Sequence, residues 1–364
     1  MGKHTQELND ESSTPTLAVI SAVISLGPVR ILAQVPASGG NQATKIVSAA
    51  KSTKGTISRL PDGRPDLSGF WSNNTAIPLE RPPAFAGREF LTDEEAKAVE
   101  QGSRARTLAA DRQAVEKPNE VGDYNAAFKE DAKWVMANKR NSVITDPKDG
   151  RIPALTPEAQ KKLEAAQELH KLHYLNGPED MTTFERCITT VNSGPPMLPN
   201  AYNNNYQIVE THDHVVIYAE MIHDVRIIPL DGRPHDNVRQ WMGDSRGHWE
   251  GDTLVVETTN FNGRRGWFST QLRFNGDDLK RPDEKMRVIE RFTRTALDTL
   301  LYQFTIIDPA TYITPWSGEI TMRSFAGPVY EYACHEGNYG MELILAGARA
   351  QEKKAVEAAK NGSK

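Results

Sequence analysis

The amino-acid sequence predicts an α+β fold: an N-terminal helical and extended segment, then an antiparallel meander that forms a β-barrel, then a C-terminal helix. In the first half, apolar residues recur with the period of a helix, and Pro and Gly interrupt them. From Tyr206 onward the period becomes two, which is typical of strands, and short turns separate the alternating segments. A meander of roughly eight such strands removes its exposed edges most simply by closing into a barrel.

Length and composition indicate a globular protein. The chain has 364 residues, of which 38% are hydrophobic and 25% are charged, enough for one large domain or two of ordinary size. Its formal net charge is -5, and no cluster of Lys and Arg with interleaved aromatic residues stands out. We therefore expect no binding to nucleic acid, whose phosphates attract basic surfaces.

An apolar run over residues 17–26 indicates that the chain is exported. The run has the length of a signal-peptide core and is too short to cross a bilayer, so no membrane span is expected in the mature chain. The residues before it contain more acidic than basic side chains, which is atypical, and a buried strand or helix is the alternative. We expect a leader over residues 1–37, a flexible linker over residues 38–59, and a periplasmic or secreted protein.

Between residues 60 and 200, the sequence predicts an extended arm and helices that pack on the barrel. Residues 60–88 are rich in Pro and Gly, which favours an arm without regular structure. A capping box, Thr92-Asp-Glu-Glu95, opens the first helix, and Thr156-Pro-Glu158 opens the third with an N-cap followed by proline. The three predicted helices cover residues 92–115, 123–138 and 156–172.

The predicted barrel, with the start of the last helix, covers residues 201–350. Tight turns join several of its successive strands, as expected for an antiparallel meander. The predicted strands cover residues 206–211, 215–228, 247–249, 253–260, 285–294, 299–307, 313–322 and 328–334. The last helix, over residues 339–360, would pack outside the barrel or cover one end, and residues 351–364 form the end of this helix and a tail.

The longest predicted strand carries the first group of candidate functional residues. One of its faces is apolar except for His223, and the other carries Tyr218, Glu220, Asp224 and Arg226. Buried ionisable groups cost free energy unless they are paired or used, so this group is a candidate site. The alternatives are a hydrogen-bonded core histidine and a solvated ladder of salt bridges, because alternation alone does not show which face points inward. A kink near residues 221–223 would instead put Glu220 and His223 on the same side.

A second group lies in the segment 243–252. Arg246, His248 and Glu250 share one strand face, with Trp249 on the other face and Trp241 nearby. An imidazole can move a proton near neutral pH, a carboxylate can orient it, and an arginine can stabilise negative charge. The tryptophans would supply flat walls for a ring. The alternative is a polar hairpin at the rim of the barrel.

A third candidate lies where the last predicted strand meets the last helix. This junction carries His335 and Tyr339. It would expose side chains at a barrel mouth, where the N-terminus of the helix favours an anion. If the barrel brings His335 back to His223 and His248, three histidines and several carboxylates share one site.

Cys187 and Cys334 are the only cysteines in the sequence. In an exported protein they are expected to form one disulfide that closes a long loop. The alternative is two unrelated buried thiols. A cysteine nucleophile is disfavoured, because only the neighbouring His335 would favour the thiolate of Cys334.

No cofactor is predicted. The candidate histidines raise the alternative of zinc, but they lack the His-x-x-x-His spacing of a helical site, and the one His-x-His, His212-Asp-His214, falls in a predicted turn. No glycine pattern of a Rossmann fold or P-loop is found, which disfavours nucleotide chemistry. Ser245 lies in a predicted hairpin and not at the strand-to-helix turn of a nucleophile elbow, which disfavours serine hydrolysis.

Several motifs resemble those of a large group of exported bacterial proteins that are usually described as hypothetical. The resemblance covers about residues 60–350 and implies a shared site and export, without naming a reaction. The meander also resembles the lipocalin-type barrel, whose relatives include carriers as well as lyases and isomerases of hydrophobic molecules. The motifs are Gly63-Arg-Pro-Asp-Leu-Ser-Gly-Phe-Trp71, Gly194-Pro-Pro-Met197, Glu220-Met-Ile-His-Asp224, Gly243-Asp-Ser-Arg-Gly-His-Trp-Glu-Gly-Asp-Thr-Leu-Val-Val256, Asp308-Pro-Ala310 and Tyr332-Ala-Cys-His-Glu-Gly-Asn338.

From these residues we expect a cofactor-free acid/base enzyme, a lyase or isomerase, that acts on an apolar or aromatic small molecule in the barrel cavity. This hypothesis requires the three histidines to converge on one cavity. The candidate catalytic residues are His248, His223, His335, Asp224 and Glu220, and the candidate substrate-binding residues are Arg246, Arg226, Tyr218, Trp241, Trp249 and Tyr339.

Two other functions stay open. The first is a periplasmic binding protein without catalysis, in which carboxylates are paired to arginines and no imidazole in the pocket is free to titrate. The second is a metal-dependent hydrolase that uses a histidine cluster. The sequence does not indicate the oligomeric state.

Overall fold

The computed structural model describes residues 56–116, 134–173, 175–200, 202–264 and 284–362. The predicted leader and most of the predicted second helix lie outside these residues. The last residues of that helix, 134–138, are described and are not helical.

The described residues form a nearly closed antiparallel β-barrel, which confirms the predicted fold class. Nine strands follow one another in the order β5-β4-β3-β1-β10-β9-β8-β7-β6, and β2 pairs with β10. The two end strands, β5 and β6, lie side by side. The strands are β1 Gly69–Ser72, β2 Ile144–Asp146, β3 Asn205–Glu210, β4 His214–Ala219, β5 Val225–Pro229, β6 Asp244–Glu250, β7 Thr253–Thr259, β8 Arg287–Ala296, β9 Thr299–Ile307 and β10 Trp316–Ser324.

Large side chains fill the inside of the barrel. Alternate residues of each long strand point inward, and the aromatic rings among them are almost completely buried, including those of Phe292, Phe304 and Trp316. Gly318 of β10 leaves space for these rings because it has no side chain. A Cβ atom at that position would lie 2.5 Å from the Phe304 ring of the neighbouring strand. The interior is therefore a packed core over much of its length.

Two predicted helices are confirmed: the one that follows the capping box at Thr92 and the one that follows the N-cap at Thr156. They are α1, Asp93–Glu116, and α2, Pro157–His173. The capping box of α1 is formed: the Glu95 N–H donates to Thr92 Oγ1 at 3.2 Å, and the Thr92 N–H donates to the Glu95 carboxylate at 2.8 Å. At α2, Thr156 Oγ1 accepts from the Ala159 N–H at 3.1 Å.

The predicted C-terminal helix is also present, as α3, Gly340–Gly362. Most of its side chains are exposed, including those of Leu343 and Val356, so it covers little of the barrel. Arg349 attaches it to the loop after α2 by donating to the carbonyls of Leu175 and Asn176 at 2.9 and 3.0 Å. None of the helices in the described ranges is long and apolar enough to cross a membrane.

The long strand predicted over residues 215–228 is wrong, and the error changes the position of Arg226. The chain forms two antiparallel strands, β4 and β5, joined by a 3₁₀ turn at Met221–His223. Ile222 and His223 have φ angles of 63° and 51°, which reverse the chain direction. Arg226 therefore lies on the inner face of β5 together with Ile228, and not in a ladder with Glu220 and Asp224.

Two further differences concern the ends of the meander. Residues 328–334, predicted as a strand, have no regular structure. The arm predicted to be irregular contributes β1, which lies between β3 and β10 and completes the sheet. Its short Gly-Phe-Trp-Ser sequence gave too few residues for alternation to be recognised.

The predicted disulfide between Cys187 and Cys334 is present, with 5.7 Å between the Cα atoms. It joins the chain just before a buried segment of irregular structure, described below, to the segment that precedes α3. The two cysteines are separated by 147 positions in sequence. The crosslink therefore restricts a large part of the unfolded chain.

Removal of this crosslink should destabilise the protein. We expect the variant Cys187→Ser/Cys334→Ser to lose about 2–4 kcal/mol of unfolding free energy, because a long loop is no longer closed in the unfolded state. Urea unfolding of the oxidised wild-type protein and of the variant measures this difference. Dithiothreitol should lower wild-type stability and leave the variant unchanged; equal stability of both proteins without reductant would contradict the prediction.

Glu210, at the end of β3, attaches the N-terminal arm to the barrel. Its carboxylate accepts a hydrogen bond from the Leu67 N–H. Burial raises the pKa of Glu210 from an ordinary 4.5 to about 7, against the opposing effect of the bond from Leu67. Between these two pH values the Glu210 side chain binds more protons in the native protein than in the unfolded chain, so its contribution to the free energy of unfolding should fall as the pH rises.

The variant Glu210→Gln should remove this part of the pH dependence. Glutamine cannot titrate, but its side-chain oxygen can still accept from the Leu67 N–H. Urea unfolding between pH 4.5 and pH 7 should therefore show a smaller loss of stability in the variant than in the wild type. Glu164→Gln, at an exposed position of α2, is the matched control and should keep the wild-type slope. An unchanged slope in Glu210→Gln would refute the assignment.

Candidate functional site

The three histidines of the predicted catalytic site are exposed to solvent. His248 lies on the outer face of β6, 61% exposed, with Nε2 3.2 Å from Glu250. His223 lies in the turn before β5, and its Nδ1 is 3.0 Å from the Tyr332 carbonyl oxygen; His335 is also exposed. The catalytic hypothesis requires the three histidines to converge on one cavity, and their exposure does not fit this requirement. Within the described ranges, no three or more His, Cys, Asp or Glu side chains are grouped to hold a metal ion.

The predicted catalytic carboxylates lie around the turn between β4 and β5. Glu220 is buried, and its carboxylate accepts from the side-chain amides of Asn203 and Asn205 at 2.5 and 3.1 Å and from the Tyr330 N–H at 3.4 Å. These bonds connect the start of β3 to the segment after β10. Asp224 is half-buried at the end of the same turn. Glu220 thus has a structural role in joining three parts of the chain.

The predicted ligand-binding aromatic residues lie in different parts of the described fold. Tyr218 is half-buried on the outer face of β4, where burial raises the pKa of its hydroxyl. Tyr339 is exposed just before α3. Trp241 and Trp249 are half-buried, and the guanidinium of Arg64 lies 5.8 Å from the centre of the Trp249 ring. Trp249 lies on the inner face of β6 and packs against the core, so the four side chains do not share one face of the described fold.

Arg246, another predicted ligand-binding residue, takes part in a cluster around the buried carboxylate of Asp244. This carboxylate pairs with the Arg246 guanidinium and also accepts from the Asp236 N–H at 3.2 Å. The Nδ1 atom of His235, a residue that the sequence reasoning did not select, lies 3.0 Å from the same carboxylate. The cluster fixes the loop between β5 and β6 to the outside of β6.

Arg226 is the predicted site residue that lies inside the barrel. It forms a two-pronged ion pair with Glu290 of β8: Nη1 donates to Oε1 at 3.0 Å, and Nη2 donates to Oε2. The two side chains are 3% and 0% exposed. Burial alone would lower the pKa of Arg226, but the carboxylate of Glu290 reverses this effect and raises it. Both charges are thus compensated inside an otherwise apolar core.

Hydroxyl groups extend this ion pair on both sides. Tyr302 of β9 donates to Glu290 Oε1 at 2.9 Å, and its oxygen accepts from the Met197 N–H at 2.9 Å. Burial raises the pKa of Tyr302 well above its ordinary value, so this hydroxyl stays protonated. Toward the seam between β5 and β6, Arg226 Nη2 lies 3.4 Å from the Ser245 hydroxyl. A side-chain contact therefore bridges the two end strands of the sheet.

Residues 189–198, which we call the buried segment, lie over the ion pair. All ten are buried, although they form neither helix nor strand. Gly194 brings the segment close to Arg226: its φ is +78°, and a Cβ atom there would lie 2.7 Å from Met197 Cγ and 3.1 Å from Arg226 Nη1. Any side chain at this position would push the segment away from the guanidinium.

Hydrogen bonds join the buried segment to the barrel wall. The Asn73 amide nitrogen donates to the Met197 carbonyl at 2.9 Å and to the Tyr206 hydroxyl at 3.1 Å. The Tyr206 hydroxyl in turn donates to the Asn192 carbonyl at 2.8 Å. With the bond from Met197 to Tyr302, a continuous network runs from Asn192 to the ion pair.

Five buried polar atoms of this region have no hydrogen-bond partner among the described residues. Such atoms are rare in folded proteins and call for an explanation. Four of them are oxygens of the buried segment and of the strand end beside it, and one is a guanidinium nitrogen. They are Thr189 Oγ1, Asn192 Oδ1, Ser193 Oγ, Asn73 Oδ1 and Arg226 Nε.

We define the candidate site as the buried segment together with Arg226, Glu290, Tyr302 and Asn73. Arg226 is the only one of these residues that the sequence reasoning selected as a site residue, although the motif Gly194-Pro-Pro-Met197 falls in the buried segment. Glu290 could have been found, because it alternates with Val288 and Phe292 on the inner face of a correctly predicted strand. The arrangement offers hydrogen-bond donors and acceptors and not a free acid or base, because its carboxylate is already paired and the Tyr302 hydroxyl stays protonated.

Removal of one partner of the ion pair should destabilise the protein strongly, whereas removal of both partners should destabilise it much less. Arg226→Met should lose about 3–5 kcal/mol of unfolding free energy, because it leaves the Glu290 carboxylate buried without a partner. Arg226→Met/Glu290→Gln should recover most of this loss, since it removes both charges and keeps an oxygen acceptor for Tyr302. Urea unfolding of the wild type and both variants measures the two changes.

A matched pair of the same residue types lies on the outside of the barrel. Arg287 and Glu257 are 3.3 Å apart and both exposed, so Arg287→Met should change stability by less than about 1 kcal/mol. If Arg226→Met cost no more than Arg287→Met, the buried pair would not have the energetic role assigned to it.

Comparison with known protein families, curated proteins and solved structures gives no match for this chain. The resemblance to exported bacterial proteins, inferred from short motifs, therefore stays a prediction. The likeness to lipocalins is one of barrel shape and carries no information about a ligand.

Proposed function

We propose that this protein binds a small molecule at the end of the barrel that the buried segment covers, and that it does not transform the ligand. The observation that carries this proposal is the continuous hydrogen-bond network from Asn192 to the Arg226–Glu290 pair. A polar network in an apolar core costs free energy to bury, so its presence needs a compensating role. Orientation of a bound ligand is such a role.

The chemistry of the site favours binding over acid/base catalysis. Glu290 is fully buried and held by both Arg226 and Tyr302, so its oxygens are not available to accept a proton from a substrate. His223, His248 and His335 are exposed and lie outside this network. The lyase or isomerase predicted from the sequence is thus the competing proposal, and it would have to act at the surface.

We also propose that the protein works in the periplasm or outside the cell. The disulfide supports this location, because such bonds persist in oxidising compartments and are rare in the cytosol. In that setting a covalent crosslink beside the buried segment would stabilise the site without a metal or cofactor. The ligand would then be a molecule present in the periplasm or outside the cell.

The buried network should be required for ligand binding while the outer surface is not. We expect members of a library of small soluble fragments to raise the melting temperature of the wild-type protein, because a ligand that binds only the native state stabilises it. Arg226→Met/Glu290→Gln should abolish these shifts. Arg287→Met/Glu257→Gln, which removes the same charges from the outer face, should retain them.

Ligand-observed NMR with the same fragments checks that the shifts report binding. The result that would refute the proposal is a set of fragments whose binding survives in Arg226→Met/Glu290→Gln but is lost in His248→Ala. That pattern would place the ligand on the outer face of β6 and favour the enzyme.

A further inference from the structure

We infer that the ligand is a neutral molecule with several hydroxyl groups, of the polyol or sugar class. This inference rests on the proposed binding function and adds the chemistry of the ligand to it. It follows from the buried polar atoms that lack partners within the described residues: three side-chain oxygens and one guanidinium nitrogen around the same network. They are Asn73 Oδ1, Asn192 Oδ1, Ser193 Oγ and Arg226 Nε.

The contacts of the two asparagines fix which of their atoms is the acceptor. The amide nitrogen of Asn73 faces the Met197 carbonyl at 2.9 Å, and that of Asn192 faces the Asn203 carbonyl at 2.9 Å. Carbonyl oxygens can only accept, so the nitrogen must occupy these positions in both side chains. The atoms left without partners are therefore the two amide oxygens, which require a donor.

The three oxygens belong to side chains that are almost completely buried. Asn73 and Asn192 are 0% exposed, and Ser193 is 1% exposed. Bulk water therefore does not reach them, and a buried acceptor without a donor is unfavourable. A molecule that binds beside these oxygens and donates hydrogen bonds to them has a more favourable binding free energy than one that presents only apolar atoms.

The network places these side chains close to one another. The Tyr206 hydroxyl contacts both the Asn73 amide and the Asn192 carbonyl, at 3.1 and 2.8 Å. Ser193 follows Asn192 in the chain, and the next residue, Gly194, packs against the Arg226 guanidinium. One small molecule with several polar groups can therefore address more than one of them.

Charge excludes the ionic alternatives. The charge of Arg226 is already neutralised by Glu290, so an anion or a cation would bring a second, uncompensated charge into the core. A purely apolar ligand would leave the oxygens without donors. A hydroxyl group can donate to an asparagine or serine oxygen and accept from Arg226 Nε, and it carries no charge.

Four small molecules with the same six-membered ring test this inference: myo-inositol, cyclohexanol, cyclohexanecarboxylate and cyclohexylammonium. Titration of the purified full-length protein, followed by NMR of its amide groups, gives a dissociation constant for each. We expect myo-inositol to bind at least about tenfold more tightly than the other three, because only it can satisfy several buried acceptors at once.

Ser193→Ala removes one unpartnered oxygen with little change of volume, and it should weaken myo-inositol binding several-fold. Ser317→Ala is the matched control. It removes a hydroxyl that already has a partner, Thr305 Oγ1 at 2.9 Å, and should leave binding unchanged. Arg226→Met/Glu290→Gln should abolish binding of myo-inositol.

The outcomes separate the two proposals. Tighter binding of cyclohexanol, the carboxylate or the ammonium ion, lost in Arg226→Met/Glu290→Gln, would overturn the ligand class and leave the binding function intact. Myo-inositol binding that persists in both Ser193→Ala and Arg226→Met/Glu290→Gln would overturn the site. If none of the four probes and no fragment bound the wild type, the buried oxygens would hold only ordered water, and both proposals would be overturned.

Discussion

A charged pair inside an apolar barrel is the constraint on which the candidate site depends. The guanidinium of Arg226 and the carboxylate of Glu290 can be buried only together, because either charge alone would be far too costly in the core. Their pairing fixes the relative positions of β5 and β8, which lie on different parts of the sheet. Tyr302 then donates a hydrogen bond to the Glu290 carboxylate, and the Met197 N–H donates to the Tyr302 hydroxyl. The polar network is thus built outward from one interaction.

The ion pair also explains how the barrel can be nearly closed without a complete ladder of backbone hydrogen bonds. β5 and β6 end the sheet, and the contact between Arg226 and Ser245 crosses the seam between them. Gly247 contributes as well, since a Cβ atom there would lie 2.9 Å from Ile228 Cγ2. At this seam, side-chain contacts therefore hold the two strands together, whereas backbone hydrogen bonds do so between the other strands.

The sequence predicts well those parts of the fold in which each residue's environment follows from its neighbours. The barrel strands β7 to β9 alternate regularly, and Glu290 could be placed inside by that rule alone. The sequence leaves a kink near residues 221–223 open, but the full reversal at Ile222 and His223 does not follow from it, because a β-branched residue with positive φ has no local sequence mark comparable to a glycine. The buried segment has the polar composition of an exposed loop. Its burial depends on partners such as Tyr302, which is 105 positions from Met197.

The position of the disulfide in the sequence limits when the buried segment can be crosslinked. Cys187 lies two positions before the buried segment, whereas its partner, Cys334, follows the last barrel strand, β10. A ribosome makes the chain from the N-terminus, so the crosslink cannot form before Cys334 has emerged. Every barrel strand in the described residues is complete by then. The covalent closure beside the buried segment therefore follows the synthesis of the strands that hold the network.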